Sequence, residues 1–236
     1  MAATGWLYIL RLGREMAQAA DMTMTMPQMT PWSLPDFFFT FLMWAVMMVA
    51  MMVPSATPML LIFATVNRKR LVENTPVIRT GLFLLGYLAV WGVFSLLAAL
   101  GEWGLHTAAL VSGPAIAVTP WLGGVLLLSA GVYQFTPLKH ACLSRCQSPL
   151  GFILSEWREG TAGAIAMGLR YGLFCAGCCW VLMALLFVAG VMNLLWVAAL
   201  AGFVLVEKLI PFGRAVSWLA GATLILWGIW LITQAA

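Results

Sequence analysis

All five cysteines of this 236-residue chain fall into two clusters that have the spacing of a helix turn. In "FCAGCCW" three thiols stand at positions i, i+3 and i+4, and in "HACLSRC" two stand at i and i+4. Each spacing places its sulfurs on one face of a helix. Thiolates are ligands for soft ions such as copper(I), which needs only a few of them. The sequence therefore predicts a metal site, with these expected ligands: Cys142, Cys146, Cys175, Cys178, Cys179 and, as a secondary candidate, His140.

Methionine is concentrated early in the chain: ten of the fifteen methionines fall between positions 22 and 59. Thioether sulfur binds the same soft ions as thiolate and needs no deprotonation. Within the first long apolar run the methionines form two stripes at i, i+4 spacing, so they would form a ladder about 13 Å deep along one helix. The methionine ladder consists of Met43, Met47, Met48, Met51 and Met52. Four more methionines precede it in the segment "MTMTMPQM": Met22, Met24, Met26 and Met29.

Other interpretations of these sulfurs stay open. Cysteine is also a small buried hydrophobe and methionine fills irregular cores, so packing alone explains part of each pattern. The spacing in "CAGC" is typical of redox dithiols too, although no βαβ pattern flanks it. Glu102 and His106, at i and i+4, form a further candidate pair for a hard metal. The sequence contains no phosphate loop, hydrolase triad or haem-ligand set, which favours binding or transfer over catalysis.

The composition indicates that membrane-spanning helices carry these residues. The chain is 63% hydrophobic and 8% charged, whereas a soluble domain carries about a quarter charged residues. We predict an all-α, polytopic bundle of about six transmembrane helices, because six apolar runs approach the roughly 20 residues that cross a bilayer. The runs cover residues 37–66, 80–100, 117–135, 171–190, 192–206 and 214–233. A short amphipathic helix within residues 5–19 would lie in the interface, so residues 1–35 form an outer segment and 36–236 the membrane domain.

The basic residues indicate which side of the membrane each loop faces. Nine of the twelve Lys and Arg residues fall in or beside the connections 67–79, 137–162 and 208–214, whereas Arg11 and Arg14 fall on the opposite side. Short loops rich in Lys and Arg stay in the cytoplasm. We therefore expect a protein of the bacterial inner membrane with both termini in the periplasm. Methionines would face outward, and the thiols would lie near the inner face, about one turn inside the fourth span.

Three separate motifs resemble one known family. The stretches "MWAVMMVAMMVPS", "YQFTPLKHACLSRCQSPL" and "YGLFCAGCCWVLM" are similar, in this order, to a bacterial family of predicted metal-binding integral membrane proteins, a domain of unknown function. The similarity covers residues 36–232. It implies a helical membrane domain and a metal role without an assigned activity.

Together these features predict a protein that binds copper(I) through Met and Cys and transports, stores or hands on the ion. Its expected partners are the lipid bilayer, a copper chaperone or the subunits of a membrane enzyme, and further copies of itself; no nucleic acid partner is expected. One alternative is a structural or assembly subunit of a larger membrane copper enzyme, which would copurify with other subunits. A second is a membrane thiol–disulfide redox protein, which would show a trapped mixed disulfide and no stoichiometric metal.

Overall fold

The computed structural model describes residues 34–70, 76–107, 111–112, 117–189 and 193–235. Nine helices and one two-stranded ladder lie within these ranges. The helices are α1 (Leu34–Arg70), α2 (Pro76–Thr107), α3 (Pro120–Tyr133), α4 (Pro137–Gln147), α5 (Pro149–Glu156), α6 (Gly160–Ala184), α7 (Leu186–Ala189), α8 (Leu194–Leu209) and α9 (Gly213–Ala235). The strands β1 (Val111–Ser112) and β2 (Ala117–Val118) pair antiparallel, Val111 with Val118 and Ser112 with Ala117. The all-helical prediction is confirmed apart from this short ladder, which the sequence did not suggest.

Part of the prediction concerns residues outside the described ranges. These residues include the segment predicted to form an N-terminal amphipathic helix and the outer methionines Met22, Met24, Met26 and Met29. Their role stays a prediction. The boundary between an outer segment and a membrane domain at residues 35 and 36 also stays a prediction, although α1 begins close to it, at Leu34.

Four helices are long and apolar enough to cross a membrane, namely α1, α2, α6 and α9. Helices α3 and α4 meet that criterion only as a pair, which is bent by 66°. Pro137 begins α4, and the Thr136 side chain caps it by accepting a hydrogen bond from the Lys139 backbone N–H at 3.3 Å. Helix α8 has 16 residues and extends about 24 Å, less than the roughly 30 Å of a bilayer core. By length and composition, the structure therefore supports four spans, or five with the bent pair, and a count of six stays a prediction.

Helix α6 begins at Gly160, well before the span that the sequence predicts over residues 171–190. The added stretch "GTAGAIAMGLR" is small or apolar except for Arg170 and contains no proline, so the helix continues through it. Cys175 consequently lies about 22 Å along the axis from the start of α6. The thiols therefore lie near the middle of this helix, and their depth within the membrane stays a prediction.

Glycines allow the closest pairs of helices to approach each other. Helix α2 packs along α6, where a Cβ added to Gly172 would lie 2.9 Å from the side chain of Val90. Helix α3 packs along α9, where a Cβ added to Gly228 would lie 2.8 Å from the carbonyl oxygen of Gly124. Small residues permit such close helix crossings. Helix α1 packs against α2 and α8, and α4 packs against α6, so these five helices enclose one shared interior.

Candidate metal centre

The two cysteine motifs meet in the interior between α4 and α6. Cys175, Cys178 and Cys179 are each 0% exposed on α6, and Cys146 is buried on α4. The thiols of Cys178 and Cys179 donate hydrogen bonds to the Cys175 carbonyl oxygen at 3.1 and 3.0 Å. The side chain of Cys146 lies beside that of Cys178 across the two helices. We call these four residues, Cys146, Cys175, Cys178 and Cys179, the sulfur cluster.

The other two predicted ligands lie outside the sulfur cluster. Cys142 comes one turn before Cys146 on α4 and is only half-buried. Its Sγ lies against α6 at Gly177, where an added Cβ would be 2.8 Å away from it. His140 faces α9, and its Nε2 accepts a hydrogen bond from the indole N–H of Trp218 at 3.2 Å. The structure therefore brings four of the six predicted ligands together and places Cys142 and His140 to one side.

Three other helices contribute polar groups to the environment of Cys175. Lys208, at the end of α8, is 6% exposed, and its Nζ donates to the Cys175 Sγ at 2.8 Å and to the Ser55 hydroxyl at 3.1 Å. The Tyr87 hydroxyl lies 3.1 Å from the Cys175 Sγ and 3.2 Å from the Met52 carbonyl oxygen. Since a hydroxyl carries one proton, Tyr87 donates to one of these two acceptors at a time. Helices α1, α2, α6 and α8 therefore meet at the sulfur of Cys175.

The methionine ladder lies in the same interior. Met47, Met48, Met51 and Met52 are buried on α1, and Met43 is half-buried and packs against the core. Because the Tyr87 hydroxyl contacts both the Met52 backbone carbonyl and the Cys175 sulfur, the Met52 end of the ladder adjoins the sulfur cluster. The sequence alone placed the two groups in different halves of the molecule. The structure instead joins them at mid-helix.

A second charged group lies next to the sulfur cluster. The Lys139 Nζ on α4 lies 2.7 Å from the Glu207 Oε1 on α8, and both side chains are fully buried. The Ser217 hydroxyl on α9 donates a hydrogen bond to the same carboxylate oxygen. Burying an ammonium and a carboxylate costs several kcal/mol for each ion unless they pair. We call Lys139, Glu207 and Ser217 the ion-pair network.

Sequence reasoning missed most of this polar environment. The sequence assigns Lys139 and Lys208 to loops, yet both are buried, so two of the nine basic residues that set the predicted orientation lie in the interior of the protein. Tyr87, Ser55 and Glu207 were not singled out at all. The sequence feature that could have revealed Glu207 and Lys208 is "VEKL", where two charged residues end an apolar run. Ionisable residues within such a run indicate a functional site by default.

The predicted pair of Glu102 and His106 does not form a shared site in the structure. Glu102 is 1% exposed and points inward, where it accepts a hydrogen bond from the Trp44 indole N–H at 2.7 Å. His106 is exposed near the end of α2. The hydrogen bond from Trp44 satisfies one oxygen of the buried carboxylate, so a structural contact between α1 and α2 accounts for the burial of Glu102 without a metal.

The donor set suits a soft ion of low coordination number. Within the described residues, no group of three or more His, Cys, Asp or Glu side chains could hold a metal ion in its present arrangement. Copper(I) favours thiolate and thioether sulfur. Two neighbouring thiols and the adjoining methionines therefore fit copper(I) better than zinc.

The comparisons with known proteins agree with this chemistry. The family PpoB2, described as a copper chaperone, matches residues 41–231. The matched range includes the methionine ladder, both cysteine motifs and Lys208. Neither the curated proteins nor the solved structures contain a significant match to the chain. Since the match covers most of its length, the chain belongs to the PpoB2 copper-chaperone family.

Proposed function

We propose that this protein is a membrane-embedded chaperone that accepts copper(I) on the methionine ladder, holds it in the sulfur cluster and hands it on. The observation that carries the proposal is the contact between the two groups. The Tyr87 hydroxyl lies 3.2 Å from the backbone carbonyl oxygen of Met52 and 3.1 Å from the Cys175 Sγ, so it joins the two groups. Copper(I) would therefore have to move only past Tyr87 to pass from the ladder to the cluster.

The order of ligands gives the transfer a direction. Thioethers are neutral and give weak, exchangeable sites, whereas thiolates carry charge and hold copper(I) more tightly. The ion would therefore move down the ladder from Met43 toward Cys175. The outer methionines Met22, Met24, Met26 and Met29 would collect it first.

Burial of the sulfur cluster suits a chaperone. All four of its cysteines are buried, so water and small chelators have little access to a bound ion. Cys142 is the least buried of the five cysteines and lies one turn from Cys146 on the same face of α4. It is therefore the thiol best placed to pass copper to a partner.

We place the protein in the bacterial inner membrane, with both termini in the periplasm. The exposed faces of the helices carry many large apolar side chains, including Leu97, Leu219 and Trp230, which water would not favour but lipid would. Six crossings would be formed by α1, α2, the bent pair α3–α4, α6, α8 and α9. An even number of crossings leaves both termini on one side.

The proposal is tested by metal retention in the full-length protein, purified in detergent without oxygen and loaded with copper(I). The protein is challenged with a copper(I) chelator, and the remaining metal is measured by mass spectrometry. We expect the wild type to keep one copper ion per chain and the variant with Cys146, Cys175, Cys178 and Cys179 changed to Ser to lose it. Cys142→Ser serves as the matched control and should keep the ion. Full retention by the fourfold variant would contradict the proposal.

A further inference from the structure

Lys208 is a buried cation whose partners are unusual. Its Nζ donates to the Cys175 Sγ at 2.8 Å and to the Ser55 hydroxyl at 3.1 Å. Its chain neighbour Glu207 is engaged by Lys139 and Ser217 instead. In the part of the chain that the structure describes, no carboxylate forms an ion pair with Lys208. The sulfur of Cys175 is therefore the group that can balance this charge.

The charge of Lys208 matters because the site is enclosed. A buried ammonium costs several kcal/mol unless a negative group balances it. The adjacent ion-pair network contains one cation and one anion, so it contributes no net charge. The net charge of the interior therefore depends on Lys208, on the thiolates of the sulfur cluster and on any bound ion.

Counting charges shows which ion leaves this interior neutral. Copper(I) bound by two thiolates carries one negative charge, and the ammonium of Lys208 cancels it. A divalent ion such as zinc, bound by the same two thiolates, is already neutral, so the ammonium would remain unbalanced beside it. Charges at such short range interact strongly where water is excluded.

We propose that Lys208 selects a monovalent soft cation over a divalent one at the sulfur cluster, by balancing the charge of the bis-thiolate complex. The inference rests on the proposed function, since it assigns a selectivity to the same site. Lys208 does not coordinate the ion in this account. It acts as a fixed counter-charge held beside Cys175 by Ser55.

The test is the ratio of copper(I) affinity to zinc(II) affinity in the full-length protein. Each affinity is measured anaerobically by competition with a chelator of known strength, for the wild type and for Lys208→Met and Lys208→Arg. The ratio is informative because both metals bind the same two thiolates, so any change in the protonation of the thiols affects both affinities equally and cancels. Lys208→Arg keeps the charge and is the matched control. Lys208→Gln provides a second neutral variant if Lys208→Met does not fold.

We expect the neutral variants to lower the copper-to-zinc ratio at least about tenfold, because copper(I) binding weakens while zinc binding strengthens. Lys208→Arg should keep the ratio close to that of the wild type. An unchanged ratio in both neutral variants would overturn the inference while leaving the proposed function intact. An equal fall of the copper-to-zinc ratio in Lys208→Arg would overturn the inference too, because the shape of the lysine side chain rather than its charge would then set the ratio. A wild type that binds no copper(I) would refute the proposed function itself, and this inference with it.

Discussion

The ion-pair network and the sulfur cluster each have a buried lysine beside them, but the two lysines face different partners. Helix α4 contributes Lys139 to the network and Cys146 to the cluster, and α8 contributes Glu207 to the network and places Lys208 beside the cluster. In the network Lys139 faces a carboxylate at 2.7 Å. Beside the cluster Lys208 faces the sulfur of Cys175 at 2.8 Å.

This difference separates a structural role from a binding role. A carboxyl group gives up its proton far more readily than a thiol, so the network is balanced whether or not a ligand is present, and it fixes α4, α8 and α9 together. A thiol holds its proton more firmly and can exchange it for a soft metal ion. The cluster therefore keeps a binding capacity that the network lacks.

The largest expected effect is on the stability of the protein when one of the two buried lysines is replaced. Lys139→Met strands the Glu207 carboxylate in the interior, and breaking a buried ion pair in this way costs about 3–5 kcal/mol. Lys208→Met should cost less, because the Cys175 thiol that it leaves behind can hold a proton and become neutral. Unfolding of both variants in detergent, followed by tryptophan fluorescence, measures the difference.

A control for this prediction is Lys139→Met combined with Glu207→Gln, which removes both charges and should recover part of the lost stability. The comparison would fail if Lys208→Met destabilised the protein as much as Lys139→Met. In that case both lysines would act as structural ion-pair partners.

A smaller effect is expected on copper(I) affinity when the two cysteines of α4 are replaced one at a time. Cys146→Ser replaces a soft sulfur with a hard oxygen, so we expect copper(I) affinity to fall at least about tenfold while stability changes little. Cys142→Ser, one turn away and outside the sulfur cluster, should leave affinity nearly unchanged and slow copper transfer to an acceptor. Chelator competition measures affinity, and stopped-flow mixing with a copper(I) acceptor measures transfer.

The two cysteine variants are matched controls for each other, because they make the same chemical change on the same helix face. Equal losses of affinity would return Cys142 to the ligand set that the sequence predicts. Loss of affinity in Cys142→Ser alone would place the site near Gly177 instead.

The grouping of the thiols was largely predictable from sequence, but their surroundings were not. Helical spacing correctly grouped Cys175, Cys178 and Cys179 on one face, and Cys146 joins them from the second motif. Apolar content predicted a helical chain. Both inferences rely on local periodicity, which a sequence displays directly.

The surroundings of the thiols depend on contacts between distant parts of the chain. The position of Cys175 along its helix was not predicted, because a stretch of small and apolar residues extends α6 back to Gly160, before the span that the sequence predicts. Lys208 was assigned to a loop because charged residues usually mark the end of a span. Its contact with Cys175 joins residues 33 positions apart, and no local pattern reveals it.

The central claim is that the sulfur cluster is a copper(I) site, and X-ray absorption of the copper-loaded, full-length protein tests it most directly. We predict an edge typical of copper(I) and a first shell made only of sulfur. We also predict that Cys146→Ser changes this shell while Cys142→Ser leaves it intact. A first shell dominated by nitrogen or oxygen, or the same spectrum after Cys146, Cys175, Cys178 and Cys179 are all changed to Ser, would contradict the account.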